Sequence, residues 1–244
     1  MENNVKGKNI VITGATGGIG RIIALTLAKE GANIVLFGGR DKEKLESLKK
    51  EIKAFKVKCL AIGGNLSSIK GLDAKINKTI KVFNNIDVLI NNAGTAQNTP
   101  FLSVTEKEYD EIFSLNVKVP YFLTQKLLPF LKKSTSPTVI NVASVVGHLG
   151  YANQSTYTAS KHALIGFSKA FATELFNQNV RCHVISPGGV MTDMIKLTRP
   201  DLAGEKMIEP KDIADVIVFL LNFKTDAVID EIKIHRSGKE PFLV

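Results

Sequence analysis

Asn9-Ile10-Val11-Ile12-Thr13-Gly14-Ala15-Thr16-Gly17-Gly18-Ile19-Gly20-Arg21 reads as a strand, a glycine-rich turn and the start of a helix. Asn9–Thr13 is the strand and Arg21–Glu30 the helix. Glycines at 14, 18 and 20 permit a tight turn, close backbone approach to a pyrophosphate and close helix packing, and the first helical amides can then hold the phosphate. A glycine-rich connection with no ligand is the plainer reading; position directly between strand and helix favours the phosphate. Outward from this unit the same alternation continues. Further strands are expected at Asn33–Phe37, Val57–Ile62, Val88–Asn91, Thr138–Val142, Val180–Ile185 and Val228–Ile234. Between them Ile69, Leu72, Ile76, Ile80 and Phe83 recur at helical intervals, as do Ile213, Val216, Ile217, Leu220 and Leu221. Strand–helix alternation builds a parallel sheet with helices on both faces, and nearly continuous apolar strands mean burial from both sides. The fold class is therefore α/β, a doubly wound seven-stranded parallel sheet flanked by helices, read as one domain over 1–244.

Two stretches break the rhythm. Thr95–Val104 and Val190–Glu209 are rich in Thr, Asn, Pro and Gly, and both follow strand ends, where ligands sit in open α/β sheets. The second is long for a connection and is expected to be a substrate lid.

Composition excludes several classes. With 44% hydrophobic and 23% charged residues in 244, the chain is neither disordered nor fibrous. Two cysteines, Cys59 and Cys182, build no disulfide framework, which fits a reducing compartment. Met1-Glu2-Asn3-Asn4 lacks the start of a signal peptide, and the longest apolar run, Val216–Leu221, falls far short of a membrane span. A cytoplasmic protein without membrane contact is expected. The net charge is +9. An acidic ligand or partner would be drawn to it, but Lys42, Lys44, Lys49, Lys50, Lys53, Lys56 and Lys58 read as one solvated helical face. A single aromatic, Phe55, lies among them, too little to stack successive bases, so no nucleic-acid partner is expected. Histidines 148, 162, 183 and 235 lack metal-ligand spacing, and no metal is expected.

The end of the second strand reports on the dinucleotide. Phe37-Gly38-Gly39-Arg40 holds no carboxylate to pair with ribose hydroxyls, and Arg40 either pairs with a 2′-phosphate or is an exposed arginine opening the next helix. The first alternative predicts NADP rather than NAD. A helix opening near Gln154 carries Tyr157-Thr158-Ala159-Ser160-Lys161, which places phenol and ammonium on one face. A lysine charge about 5 Å away, at an effective dielectric near 20, favours phenolate by roughly 3 kcal/mol, about two pKa units. Alone, such a pair is surface decoration. Here Ser144 follows the fifth strand, Asn91-Asn92-Ala93-Gly94 closes the fourth, and Asn116 lies in the next helix.

In the order and spacing of these segments, from Thr13 to Thr192 in Ser186-Pro187-Gly188-Gly189-Val190-Met191-Thr192, the chain resembles the short-chain dehydrogenase/reductase family, 3-oxoacyl-[acyl-carrier-protein] reductases in particular. The resemblance implies a Rossmann fold and hydride transfer between a nicotinamide and a ketone or secondary alcohol. Tyr157 would exchange a proton with the substrate oxygen and Ser144 would hydrogen-bond it. Lys161 would lower the tyrosine pKa and bind the nicotinamide ribose, and Asn116 would hold a water linking Lys161 to solvent. Gly14, Thr16, Gly18, Ile19, Gly20, Asn92, Ala93 and Gly94 would line the dinucleotide, with Asn65 and Leu66 at the adenine. Pro187, Gly188, Thr192 and the Val190 backbone would fix the carboxamide. Substrate contacts are expected from His148, Tyr151, Gln154 and Met194, with a solvated loop histidine the alternative at 148.

Departures bear on the substrate. Asn65 stands where many relatives have an aspartate, and Gly17 where NADP-preferring relatives often have a basic residue. The tail Ile232–Gly238 lacks a Gly-Gly ending, and Asn177-Gln178-Asn179 holds no basic docking residue. A 3-oxoacyl thioester on acyl carrier protein is the first single substrate; a small ketone, polyol or sugar is the alternative, and a non-catalytic dinucleotide sensor a further one. Ala163, Phe167, Ala170 and Phe171 form an apolar side that either pairs copies into a homodimer or homotetramer, as the resemblance implies, or joins the core. Cys182 is expected to be a small buried residue.

Overall fold

The structure, a computed structural model, describes residues 3–39, 41–66, 69–202, 204–223 and 227–239. Arg40 lies outside the described residues. Strands β1 (Asn9–Thr13), β2 (Asn33–Phe37), β3 (Cys59–Ile62), β4 (Val88–Asn91), β5 (Thr138–Val142), β6 (Arg181–Pro187) and β7 (Glu231–Ile234) form one sheet in the order β3-β2-β1-β4-β5-β6-β7. Every pairing is parallel. Chain direction across the sheet reverses between β1 and β4, the switch point at which such sheets bind ligands.

Alternation along each strand sends side chains to opposite layers. Ile10 and Ile12 pack in the cluster that includes Ile23 and Leu27 of α1 (Gly18–Lys29) and Ile213 and Ile217 of α8 (Pro210–Asn222). Between them Val11 faces the other layer, with Leu72 of α3 (Ile69–Val82) and Leu123 and Leu127 of α5 (Val119–Leu131). Burial of both faces explains the continuous apolar runs.

A polar seam crosses this apolar interior near the strand ends. Asn91 Nδ2 donates to Asn141 Oδ1 (2.8 Å) and Thr124 Oγ1 (3.1 Å), and Asn141 Nδ2 donates to Ser168 Oγ (2.7 Å). It ties β4 and β5 to α5 and to α6 (Ser155–Glu174), all through buried groups. Networks of this kind set one arrangement of the elements they join, here with Asn91 Oδ1 buried and unpaired among the described residues.

Several boundaries differ from expectation. Helix α1 opens at Gly18, inside the glycine turn, because its amides already take helical positions where the pattern shows only glycine. β3 and β7 start later than the apolar runs containing them; β7 pairs only from Glu231, opposite Val184. Helix α2 (Lys42–Lys53) ends before Lys56 and Lys58, so those two lie beyond the lysine face. The segment 190–209 is not irregular: it carries α7 (Asp193–Thr198), capped by the Thr192 hydroxyl accepting from Ile195 N, and a 3₁₀ turn at Pro200–Leu202. Elements this short leave no periodicity to read. No helix among the described residues is long and apolar enough to cross a membrane.

Candidate active site

Across the switch point the ends of β1 and β4 are stitched together. Thr13 Oγ1 accepts from the backbone N–H groups of Asn92 and Ala93, both at 3.0 Å, and Asn92 Nδ2 donates to the carbonyls of Thr13 (3.0 Å) and Gly14 (3.4 Å). The Asn92 side chain therefore holds the glycine turn in place. Gly20 packs so closely under it that a Cβ would stand 2.3 Å from Gly14 O. The N-cap of α1, Gly17, is extended and offers no side-chain cap, and the first turn contains no acid. Uncapped N–H donors with a favourable dipole suit an anionic group. A Cβ at Gly18 would lie 2.8 Å from Thr192 Cγ2, so the turn abuts the start of α7.

Between the turn, the ends of β4 to β6 and the 190–209 segment lies a cavity of about 450 Å³. Ile19, Asn92, Gly94, Pro187, Gly188, Val190 and Thr192 line it, with Ser144, Tyr157 and Lys161 in the same lining. Tyr151, Gln154 and Met194 line it too. Gly14, Thr16, Gly18, Gly20, Asn65, Leu66 and Ala93 do not contribute to this wall; Leu66 packs in the core beside Ile62 and Leu72.

Tyr157 sits in the first turn of α6, whose start has an unforeseen anchor. Gln97, buried in the loop after β4, accepts through Oε1 from Thr156 N (2.9 Å) and Tyr157 N (3.2 Å), capping a helix sixty residues downstream. No local sequence pattern announces a cap at that separation. A second anchor comes from Asn116, in a π-helical turn at Ser114–Lys118. Its Oδ1 accepts from Thr95 N (2.9 Å), while Nδ2 donates to Thr95 O (2.9 Å) and Ser160 Oγ (3.0 Å). Ser160 Oγ in turn donates to Tyr157 O (2.7 Å). Both amide hydrogens of Asn116 are thus spent on backbone and Ser160, and the side chain positions the Tyr157 turn.

Lys161 Nζ donates to Val142 O (3.0 Å) and stands 5.8 Å from the Tyr157 ring centroid. Burial pushes its ammonium down to about 8. The phenol of Tyr157 is pushed up by burial, with the Ser144 hydroxyl bond acting in the opposite direction. This corrects the expectation that the lysine charge alone lowers the phenol: desolvation outweighs an ammonium that is itself desolvated and committed to a carbonyl. Ser144 Oγ donates to Pro187 O (3.3 Å) and accepts from Val146 N (3.4 Å), which fixes the hydroxyl beside Tyr157.

The Lys161 shift has a consequence for stability. Below about pH 8 the ammonium is charged in folded and unfolded chains alike, and the fold bears the whole desolvation penalty. Between about 8 and the ordinary lysine value of 10.5, only the unfolded chain keeps the proton, so stability gained from this group rises with pH. The melting-temperature difference, Lys161→Met minus wild type, is expected to fall as pH rises from about 7 to about 10. A flat difference contradicts the shift.

His148 does not line the cavity, nor is it a solvated loop histidine. Its Nε2 meets Glu231 Oε1 (2.6 Å) and Ser186 Oγ (3.3 Å), and Ser186 Oγ donates to the same carboxylate oxygen (2.9 Å). It fastens the turn after Ser144 to β6 and β7. Arg199, Leu202, His235, Arg236 and Lys239 line the cavity instead. Cys182 is buried, and burial raises its thiol to about 12, as befits a small core residue. The Phe167 ring packs at 5.0 Å on Tyr121, which is left 44% exposed, so this side is only partly absorbed by the core.

The short chain dehydrogenase family matches residues 8–203. The 3-oxoacyl-[acyl-carrier-protein] reductase of Staphylococcus aureus is 33% identical over 239 residues, covering 95% of this chain and 97% of the relative. Among solved structures, an alcohol dehydrogenase from the archaeon Thermococcus sibiricus, complexed with 5-hydroxy-NADP, superposes with a TM-score of 0.88 at 26% identity over 97% of this chain and 99% of that one. A 3-ketoacyl-(acyl-carrier-protein) reductase from Brucella melitensis, complexed with NADH, gives 0.85 at 28% over 95% and 98%.

Proposed function

This chain belongs to the short-chain dehydrogenases and is an oxidoreductase of the CH–OH group, and from that premise we propose that it reduces a ketone, or oxidises the corresponding secondary alcohol, with NADP. The observation that carries the reading is the meeting of Ser144, Tyr157 and Lys161 in one cavity whose wall includes the start of α1. When bound, the nicotinamide supplies or accepts the hydride. The residues present suit a dinucleotide: uncapped amides at the start of α1 for the pyrophosphate, Lys161 for the ribose, and Thr192 with the Val190 backbone for the carboxamide. In the reduction, Tyr157 gives the carbonyl oxygen its proton. Ser144, turning its one hydroxyl hydrogen away from the long bond to Pro187 O, donates to the same oxygen and stabilises charge developing there. A phenol held neutral by burial is a competent acid, and the adjacent ammonium stabilises the phenolate left behind. Gln97, and Asn116 acting through Ser160, keep the phenol aimed.

NADP over NAD is supported by the β2 end and by the nucleotide in the Thermococcus sibiricus structure. Asp41, the nearest carboxylate, is engaged as the α2 cap, accepting from Lys44 N at 3.0 Å. Arg40 precedes it as the cation for the 2′-phosphate. A charge-assisted hydrogen bond of about 1.5–3 kcal/mol is roughly 10- to 150-fold. Arg40→Ala should narrow the NADPH-to-NADH ratio of kcat/KM by about that factor; a wild-type preference for NADH would overturn the assignment.

The first candidate substrate is a 3-oxoacyl thioester, as the name of the Staphylococcus aureus relative suggests, with acyl carrier protein as the partner. A small ketone, polyol or sugar is the second reading. It is favoured by the end of α6, where Asn177-Gln178-Asn179 closes in a 3₁₀ turn without a cation to meet an acidic carrier. The half-exposed aromatic side of α6 supports assembly into a homodimer or homotetramer.

A further inference from the structure

We infer that the cavity is built for a ketone that also carries a carboxylate, held by Arg236 with Lys239 at the rim, an inference that rests on the oxidoreductase reading above. Lys161, Arg199, Arg236 and Lys239 line the cavity, and among the described residues no Asp or Glu does. Two of these cations are already committed. Lys161 is bonded to Val142 O, and Arg199 is gripped by Asp201 through Nε (2.9 Å) and Nη2 (2.7 Å). Arg236, directly after β7, is different. It is only 7% exposed, yet among the described residues its side chain meets only weak partners, with Asp201 acting on it through charge alone. Its Nη1 lies 3.7 Å from the Met207 sulfur, a poor acceptor, and 3.6 Å from a carboxylate oxygen of Glu205, whose side chain is 55% exposed.

A buried guanidinium with five donors is costly unless an anion and hydrogen-bond acceptors meet it. Glu205 is beyond hydrogen-bond reach and screened by solvent, so among the described residues no strong acceptor meets the guanidinium, which lines the cavity. A substrate carboxylate offers two acceptor oxygens matched to the guanidinium fork. The carboxylate stays chemically unchanged. The ketone carbon gains a hydride from the reduced nicotinamide, the oxygen gains the Tyr157 proton, and the product is a hydroxy acid. The 3-oxoacyl skeleton is then presented as a free acid, with Arg236 meeting oxygens that a thioester lacks.

Glu205 and Met207 both belong to the 190–209 segment, so Arg236 also joins that segment to β7, and the test must separate pinning from recognition. Acetoacetate and its methyl ester, reduced with NADPH, carry the same ketone, one beside a carboxylate and the other beside a neutral ester. The wild-type enzyme should favour the acid in kcat/KM by about tenfold or more. Arg236→Met should lower that selectivity roughly 10- to 100-fold, with Arg236→Lys restoring part of it, while NADPH affinity from nicotinamide fluorescence moves by less than about threefold. A wild-type preference for the ester overturns the inference, as does equal loss on both compounds, the mark of pinning alone. A parallel fall in NADPH affinity assigns the charge to the dinucleotide and also overturns it. Should Arg236→Met fail to fold, the wild-type comparison and Arg236→Lys still decide. Reduction of other ketones but of neither probe overturns this inference only; no NADPH consumption with any ketone overturns the reading beneath it.

Discussion

Tyr157→Phe is expected to lower kcat by about a thousandfold while dinucleotide affinity stays within a few-fold. The size follows from the loss of the proton donor proposed for the substrate oxygen, worth roughly 10²–10⁴ in rate. The aim itself survives, because the anchors act on the backbone: Gln97 bonds the Thr156 and Tyr157 amides, and Ser160 the Tyr157 carbonyl. A phenylalanine keeps the ring where the tyrosine ring was. Steady-state rates together with a nicotinamide fluorescence titration check both halves. Unchanged turnover ends the proton-transfer role, and a matching collapse in affinity would mean the ring holds the dinucleotide rather than serving the reaction.

Gly20→Ala is expected to damage both fold and binding. The added methyl would stand 2.3 Å from Gly14 O and 2.6 Å from Asn92 Nδ2, so the turn must move off the Asn92 clamp. Overpacking of backbone costs about 3 kcal/mol, which at this chain length is roughly 6–12 °C in melting temperature. Dinucleotide affinity should fall roughly tenfold or more, because the displaced amides are the proposed phosphate donors. Gly166→Ala is the control: nothing lies within 4 Å of its Cβ position in α6, and relief of glycine's helix penalty stabilises by about 1 kcal/mol. Thermal melts and fluorescence titrations on the pair read both effects. Equal behaviour of the two variants contradicts the turn geometry.

The sheet was legible because its strands carry their own signal. Asn9–Thr13, Asn33–Phe37, Val88–Asn91 and Thr138–Val142 are bounded as the apolar runs predict, each buried on both faces. Ser144, Tyr157 and Lys161 were legible because strand-end position and one helical turn of spacing bring them together. What escaped was whatever depends on contacts distant in sequence. Gln97 caps α6 from sixty residues away. His148 looked like a substrate contact from its distance to Ser144, but a carboxylate on β7 captured it. Arg236 reaches the cavity only because β7 lies beside β6 at the sheet edge. The phenol's direction of shift was misread for a related reason: spacing reports the lysine, but burial belongs to the assembled fold.

The central claim is that this cavity transfers a hydride to a ketone. Its most direct measurement is consumption of reduced nicotinamide by the purified protein against a panel of ketones, oxo acids, 3-oxoacyl thioesters and sugars, run in parallel with NADPH and NADH. The expected result is oxidation of NADPH with at least one carbonyl compound and formation of an equal amount of its alcohol. Binding of NADPH with no oxidation across the panel would contradict the account and leave a dinucleotide sensor in its place.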